Sequence, residues 1–272
     1  MRATYQAKTM TTRWAAAFTL GVAVTLGFAL GAGAQENDAA KLLKTMSDYI
    51  TNVKTISISY DSSIEVITPD LQKIQFNGSG KLLLERPDKL RATRVGGYVD
   101  AEIVFDGKTF TVLNRADETY AQSTMSMSVD QLINKLRNEY SLEAPGADLL
   151  ISHPYNQLIA GVRDAKHIGR AVVDGIECEH LAFRNHDTDW QIWIETGLKP
   201  IPRKYVITSK TIAGAPQYTL VVRDWKSNVS PAANAFAFKS RAGAKKVELK
   251  QLADIDEVPP GVPAGAAQGE KK

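Results

Sequence analysis

Hydrophobic and polar positions change their period several times along this chain. Leu42, Leu43, Met46, Tyr49, Ile50 and Val53 form one stripe of a helix that Asn37 or Asp38 can cap. At Thr55 the period becomes two. Ile56, Ile58 and Tyr60 alternate with polar residues, and Ile64 and Val66 continue the strand. Thr68-Pro69-Asp70 reads as a turn into a second long strand that carries Ile74, Phe76, Gly78, Gly80, Leu82 and Leu84 on one face. Two glycines on that face predict a bend or a bulge. Short strands follow over 90–95, 101–105, 109–113 and 119–122, with Asp106-Gly107 as a tight hairpin turn.

The middle of the chain returns to helical spacing. Val129, Leu132, Ile133 and Leu136 predict a helix with Ser128 as its N-cap. Residues 149–151 and 158–162 read as two shorter helical pieces around Pro154. Strands then resume. Segments 171–173 and 176–183 form a hairpin about Asp174-Gly175, and 189–195, 202–208 and 218–225 follow. Trp190, Ile192 and Ile194 face one way and Trp193 the other. Leu220 and Val222 likewise oppose Val221 and Trp225. Apolar residues on both sides of these strands predict that both faces of the sheet are covered. The pattern as a whole is α+β, an antiparallel sheet covered by helices.

Charge changes the picture at one end only. The chain of 272 residues carries 33 Lys and Arg against 30 Asp and Glu, and Arg2, Lys8 and Arg13 are the only charged residues before Glu36. Without those three the balance is 30 against 30, which removes the basic surplus a nucleic-acid-binding protein would need. Arg2, Lys8 and Arg13 precede an uncharged apolar run from Trp14 to Leu30, and Ala32-Gly33-Ala34 supplies the small-x-small pattern of a signal-peptidase site. The sequence therefore predicts a signal peptide over 1–34, cleaved after Ala34, and a periplasmic product with no stable membrane span. The domain is expected over 35–258 with a helical insertion at about 128–161, followed by a flexible Pro/Gly/Ala/Lys tail over 259–272. Apolar residues are 44% and charged residues 23%, ordinary for a globular protein. Cys178 is the only cysteine, so no intramolecular disulfide forms.

Several segments resemble a known superfamily. The run from Gly80 through Leu84, Arg86-Pro87, Leu90 and Arg91 resembles the strand, Arg-Pro, strand signature of the lipoprotein-carrier (LolA/LolB-like) superfamily. Phe105-Asp106-Gly107-Lys108-Thr109 is similar to that superfamily's Asp-Gly-Lys hairpin. Asp189-Trp190-Gln191-Ile192-Trp193-Ile194-Glu195, followed by Lys199-Pro200-Ile201-Pro202-Arg203-Lys204, is similar to a family of predicted periplasmic proteins of unknown function within it. The resemblance spans about residues 40–250. It implies a half-open antiparallel β-barrel, a strongly curled sheet with helices packed across its concave face as a lid. It also implies a cargo of lipoprotein acyl chains or other lipids.

An acyl chain gains about 0.8 kcal/mol per buried methylene, so a soluble carrier needs an apolar cavity and no catalytic group. The candidate cavity or lid residues are Phe76, Leu82, Leu84, Phe105, Trp190, Ile192, Trp193, Tyr205, Met125 and Met127. Arg86, Arg91 and Arg203 are the candidates for the mouth or a head group, with a solvated turn as the plainer reading of Arg86 and Arg91. Cys178 and His180 share a strand face, but a packed Cys beside a half-buried His is a better account than a metal site. The sequence has no G-x-S-x-G, H-E-x-x-H or phosphate-loop motif, so no enzyme activity and no cofactor are expected. The leading function is a periplasmic carrier or binding protein for a lipid, acyl chain or similar amphiphile, with an envelope protein as donor or acceptor. An envelope protein-interaction or sensing module is the alternative, and a hydrolase using His180 or His186 the third.

Overall fold

The computed structural model describes residues 32–140, 145–240, 243–249 and 258. The predicted tail over 259–272 and most of the export segment lie outside the described residues. Helix α1 spans Ala32–Thr51, so it starts before the expected caps at Asn37 and Asp38 and contains the predicted cleavage point. Strands β1 (Thr55–Ile67), β2 (Lys73–Glu85), β3 (Lys89–Gly96), β4 (Asp100–Phe105), β5 (Thr109–Asn114) and β6 (Thr119–Thr124) follow as an antiparallel series. Helix α2 (Val129–Tyr140), a 3-10 turn at Ala147–Leu149 and the short helix α3 (Pro154–Leu158) interrupt them. Strands β7 (Asp164–Val173), β8 (Ile176–Arg184), β9 (Thr188–Glu195), β10 (Pro202–Ser209), β11 (Gln217–Ser227) and β12 (Lys245–Lys246) complete the fold.

All twelve strands belong to one open sheet, in the order β12-β6-β5-β4-β3-β2-β1-β11-β10-β9-β8-β7. The pairing is antiparallel except for the short parallel contact of β12 with β6. Register explains the faces. Ile58, Leu82, Ala92, Ile103 and Val112 align in one row across β1 to β5, and Ile56, Leu84, Leu90, Phe105 and Phe110 in the next. Side chains alternate along a strand, so Arg91, Val104 and Thr111 fall on the opposite face.

The first face carries the core. Leu43, Met46 and Ile50 of α1, Val129 and Leu132 of α2, Leu149 and Leu158 pack there with Phe105, Phe110, Leu181 and Ile192 in one buried cluster. Ser128 caps α2 as its sequence implies. Its Oγ accepts from the Gln131 N–H at 3.2 Å, and its own N–H donates to Gln131 Oε1 at 2.9 Å, a reciprocal capping box. Polar bonds tie the helices together: Tyr155 N–H donates to Ser47 Oγ at 2.9 Å, and Ser152 N–H to the Asp130 carboxylate at 3.1 Å.

The structure corrects several local expectations. Register runs unbroken through Gly78 and Gly80, and the irregularity lies between Ser59 and Tyr60, where β1 meets β11. Pro154 opens α3 instead of separating two helices, because a first-turn residue needs no N–H partner. The helical piece expected over 158–162 is therefore α3 at Pro154–Leu158. Strand β7 is longer than the expected 171–173, and Ile168 and Val172 on it are exposed. The aperiodic segment after β11 returns to the outer face. The Ala235 carbonyl accepts from Arg91 Nη1 at 2.9 Å, and Phe238 packs against Tyr120 at 5.2 Å. Among the described residues, no helix is long and apolar enough to cross a membrane.

Candidate functional site

A cavity of about 180 Å³ lies between the helix-covered face of the sheet and the helical segment. Its floor is Ile58 and Tyr60 of β1, Leu82 of β2, Leu90 and Ala92 of β3, Ile103 of β4, and Leu220 and Val222 of β11. Leu132, Ile133 and Leu136 of α2 face that floor, and Ala147, Leu149 and Leu150 close one side. The volume has room for roughly six water-sized groups, yet its walls are mainly apolar and offer water few partners.

Tyr60 shapes one wall. Its ring lies over Gly80, and its hydroxyl donates to the Thr93 carbonyl at 3.2 Å. On the far side, Trp225 Nε1 donates to Ser227 Oγ at 2.9 Å, and Tyr49 of α1 meets the same oxygen at 2.9 Å. The helix and the β11 edge of the site are thus tied through one serine.

Arg86 lies in the β2–β3 turn, but it is not a solvated turn residue. Its Nε donates to the Val53 carbonyl at 3.3 Å and its Nη2 to the Ile151 carbonyl at 3.2 Å. These carbonyls follow the end of α1 and the 3-10 turn respectively. Burial pulls the Arg86 pKa down, and nearby Asp130 partly offsets that. The other two candidate arginines lie elsewhere. Arg91 is on the outer face, with Nη2 2.5 Å from buried Glu102, which also pairs with Arg115 at 2.5 Å. Arg203 is paired with Glu195 at 2.5 Å and is nearly covered.

Of the ten candidate apolar residues, Leu82 lines the cavity. Leu84, Phe105, Ile192 and Met125 are in the surrounding buried cluster, with Met127 packed against it. Trp190 is also core. It stacks on Phe183 at 4.0 Å, meets Tyr205 edge-on at 5.8 Å, and donates from Nε1 to Asn185 Oδ1 at 3.0 Å. Burial pushes the Tyr205 phenol up strongly. Phe76 packs against exposed Tyr98 near the far end of β2, away from the cavity. Trp193 is on the outer face, sandwiched between His180 at 4.1 Å and the Lys204 ammonium at 4.9 Å.

Sequence reading named the strands and helices of this site but not most of its lining. Ile58, Tyr60, Leu132, Ile133, Leu136, Leu220 and Val222 all stood on the predicted apolar faces. What was missing was the fold that sets β1 and β11 side by side at the centre of the sheet.

The other chemical groups have structural partners. Cys178 is fully buried and its Sγ–H points to the Ile176 carbonyl at 3.5 Å, with burial pushing the thiol pKa up. His180 is half-buried and bonds Gln191 at 2.9 Å. His186 is exposed in the turn beside Asp187. Among the described residues, no group of three or more His, Cys, Asp or Glu side chains is placed to hold a metal ion.

A family model described as "Predicted periplasmic protein (DUF2092)" matches residues 39–250. No curated protein matches the sequence significantly. Solved structures with a similar fold include the lipoprotein LppX of Mycobacterium tuberculosis, at 14% identity and a TM-score of 0.44 over 72% of this chain and 98% of its own. LprF of Mycobacterium bovis aligns at 11% identity and a TM-score of 0.48, over 74% of this chain and 97% of its own. An uncharacterized conserved protein of Thermus thermophilus aligns at 10% identity and a TM-score of 0.44, over 78% and 99%.

Proposed function

The chain belongs to the DUF2092 family of predicted periplasmic proteins, and on that premise we propose that it is an exported carrier or binding protein. It holds the acyl portion of a lipid or a similar amphiphile in the cavity between sheet and helices, and performs no covalent chemistry. Export proceeds by cleavage after Ala34. The observation that carries this reading is the cavity itself, whose walls are mostly aliphatic and aromatic side chains. Filling it with about six methylenes at about 0.8 kcal/mol each gives roughly 5 kcal/mol of gross transfer energy. Association costs of about 4–15 kcal/mol are as large or larger, so burial in the cavity alone gives no tight binding, which suits a carrier that must release its cargo.

In this reading the sheet curls around the ligand as a half-open barrel, with α2 and the segment through α3 as its lid. Arg86 supports that role through its bonds to the Val53 and Ile151 carbonyls, which hold the lid segment to the β2–β3 turn. Mass spectrometry of the protein purified from its own host envelope is the test. A co-purified amphiphile in near-equal molar amount supports the reading, and a bare protein that also takes up no added amphiphile contradicts it.

A second reading rests on β7. This ten-residue strand ends the sheet and exposes Ile168 and Val172, at 53% and 65%. An envelope protein that adds a strand to this edge would make the domain a sensing or interaction module. A pull-down with protein charged at Ile168 and Val172 separates the two readings, because those changes leave the cavity untouched.

A further inference from the structure

We infer, building on the reading of the cavity as an amphiphile site, that the ion pair between Arg137 and Asp148 is a clasp that sets how fast the ligand exchanges. Arg137 stands in the last turn of α2, and Asp148 in the 3-10 turn at Ala147–Leu149. Arg137 Nη2 donates to Asp148 Oδ1 at 2.8 Å. The pair joins two walls of the cavity. Leu136, the residue before Arg137, lines it, and so do Ala147 and Leu149 on either side of Asp148. Parting the two charges lets those lining side chains separate.

The 3-10 turn rests on the sheet. Gly146, at φ +89°, precedes it, and a Cβ there would lie 2.9 Å from Leu220 of β11. Asp148 also lies near buried Tyr205 of β10, whose phenol is pushed up mainly by burial and further by that carboxylate. A wall seated on β10 and β11 is thus tied to α2 by this charge pair. The next residues are held by different bonds. The Ile151 carbonyl accepts from Arg86 Nη2 at 3.2 Å, and the Ser152 N–H donates to the Asp130 carboxylate at 3.1 Å. The Ser152 carbonyl accepts from Thr51 Oγ1 at 2.8 Å. These bonds fix 151–152 to the β2–β3 turn, the first turn of α2 and the end of α1, and none of them involves Arg137 or Asp148. Residues 146–150 therefore have a fixed point about which to move when the clasp parts.

The clasp is also breakable. The side chains of Arg137 and Asp148 are 31% and 24% exposed. Water and salt reach them, so their attraction is screened and approaches that of a surface pair. Such a pair parts and re-forms without unfolding the sheet or the helices. Each parting separates Leu136 from Ala147 and Leu149, which gives an apolar chain a way in or out.

The test is stopped-flow exchange on the delipidated mature protein with a fluorescent long-chain alcohol, whose neutral head keeps the charge of Arg137 out of the readout. Asp148→Asn should speed both association and release by about two- to fivefold, the range of a partly exposed pair, and leave the dissociation constant within about twofold of the wild type. Arg137→Gln should do the same, and the double variant should be no faster than either single one, because both changes open one contact. Raising the salt from about 0.01 M to about 1 M, which shortens the Debye length from about 30 Å to about 3 Å, should speed release from the wild type and not from the variants. Circular dichroism checks that the variants fold. Wild-type rates in folded Asp148→Asn, additive acceleration in the double variant, or weaker binding with unchanged association overturns the clasp and leaves the amphiphile site standing. A folded wild-type protein that binds neither the alcohol nor a fluorescent fatty acid overturns both.

Discussion

The ring of Tyr60 occupies the space that a side chain at position 80 would need. A Cβ placed on Gly80 would fall well inside contact distance of both the Tyr60 ring and the Thr93 carbonyl oxygen. Glycine here serves close approach. It lets an aromatic ring lie flat on the sheet and become the wall of a cavity.

Gly80→Ala should therefore destabilise the protein by about 1–3 kcal/mol, the usual cost of overpacking. Tyr60→Ala in the same chain should recover only part of the loss, because the Thr93 contact is with backbone. Urea unfolding of the single and double variants measures this. A Gly80→Ala protein as stable as the wild type would show that the ring has another resting place.

Glu102 is the buried member of an outer-face cluster with Arg91 and Arg115. Glu102→Gln should cost about 2 kcal/mol, less than the 3–5 typical of breaking a fully buried pair, because Arg91 reaches solvent. The change lies on the opposite face from the cavity, so amphiphile binding at a temperature well below Tm should be unchanged. Thermal unfolding and probe titration of one sample read both effects.

Arg86→Met should loosen the segment it bonds. Amide exchange over residues 145–151 and near Val53 should speed up, while β7 to β9 keep wild-type protection. Exchange followed by mass spectrometry resolves these peptides. Uniform acceleration across the chain would mark global destabilisation instead.

His180 gives a pH dependence. Burial depresses its pKa and Lys204 adds to that, while the bond to Gln191 acts the other way. The folded protein thus binds this proton less readily than the unfolded chain. The stability involved is complete above the unfolded value of about 6.5, and is lost as pH falls below it, until the lower folded value is passed. In His180→Gln the fall in Tm between about pH 7 and pH 5 should be smaller than in the wild type. Parallel curves would show that His180 protonates equally in both states.

Much of the fold was legible because the long early strands alternate with period two, and several turns carry their own signature residues. Asp174-Gly175 is one case, since both residues take positive φ in the structure. The capping box at Ser128 was readable for the same local reason. The lining of the site was harder, because it depends on which strands become neighbours. Trp190 and Trp193 differ by three positions on one strand, and hydrophobicity alone ranks them alike. Only packing shows Trp190 in the core and Trp193 outside under Lys204. Arg94, which also lines the cavity, drew no notice because an isolated arginine on a strand normally reads as surface. Its inward parity with Leu90 and Ala92 was the signal that could have found it.

The most direct test of the central claim is to fill the cavity and watch binding. Ala92 lines the floor in the same row as Ile58, Leu82 and Ile103, so Ala92→Phe puts a ring into the void. Delipidated wild-type protein titrated with a fluorescent fatty acid should bind saturably at one site. The Ala92→Phe protein should lose that binding at least about tenfold, a cost of about 1.4 kcal/mol or more, while its ligand-free Tm holds or rises. Undiminished binding by a well-folded Ala92→Phe protein, or no saturable binding by the wild type, would contradict the account.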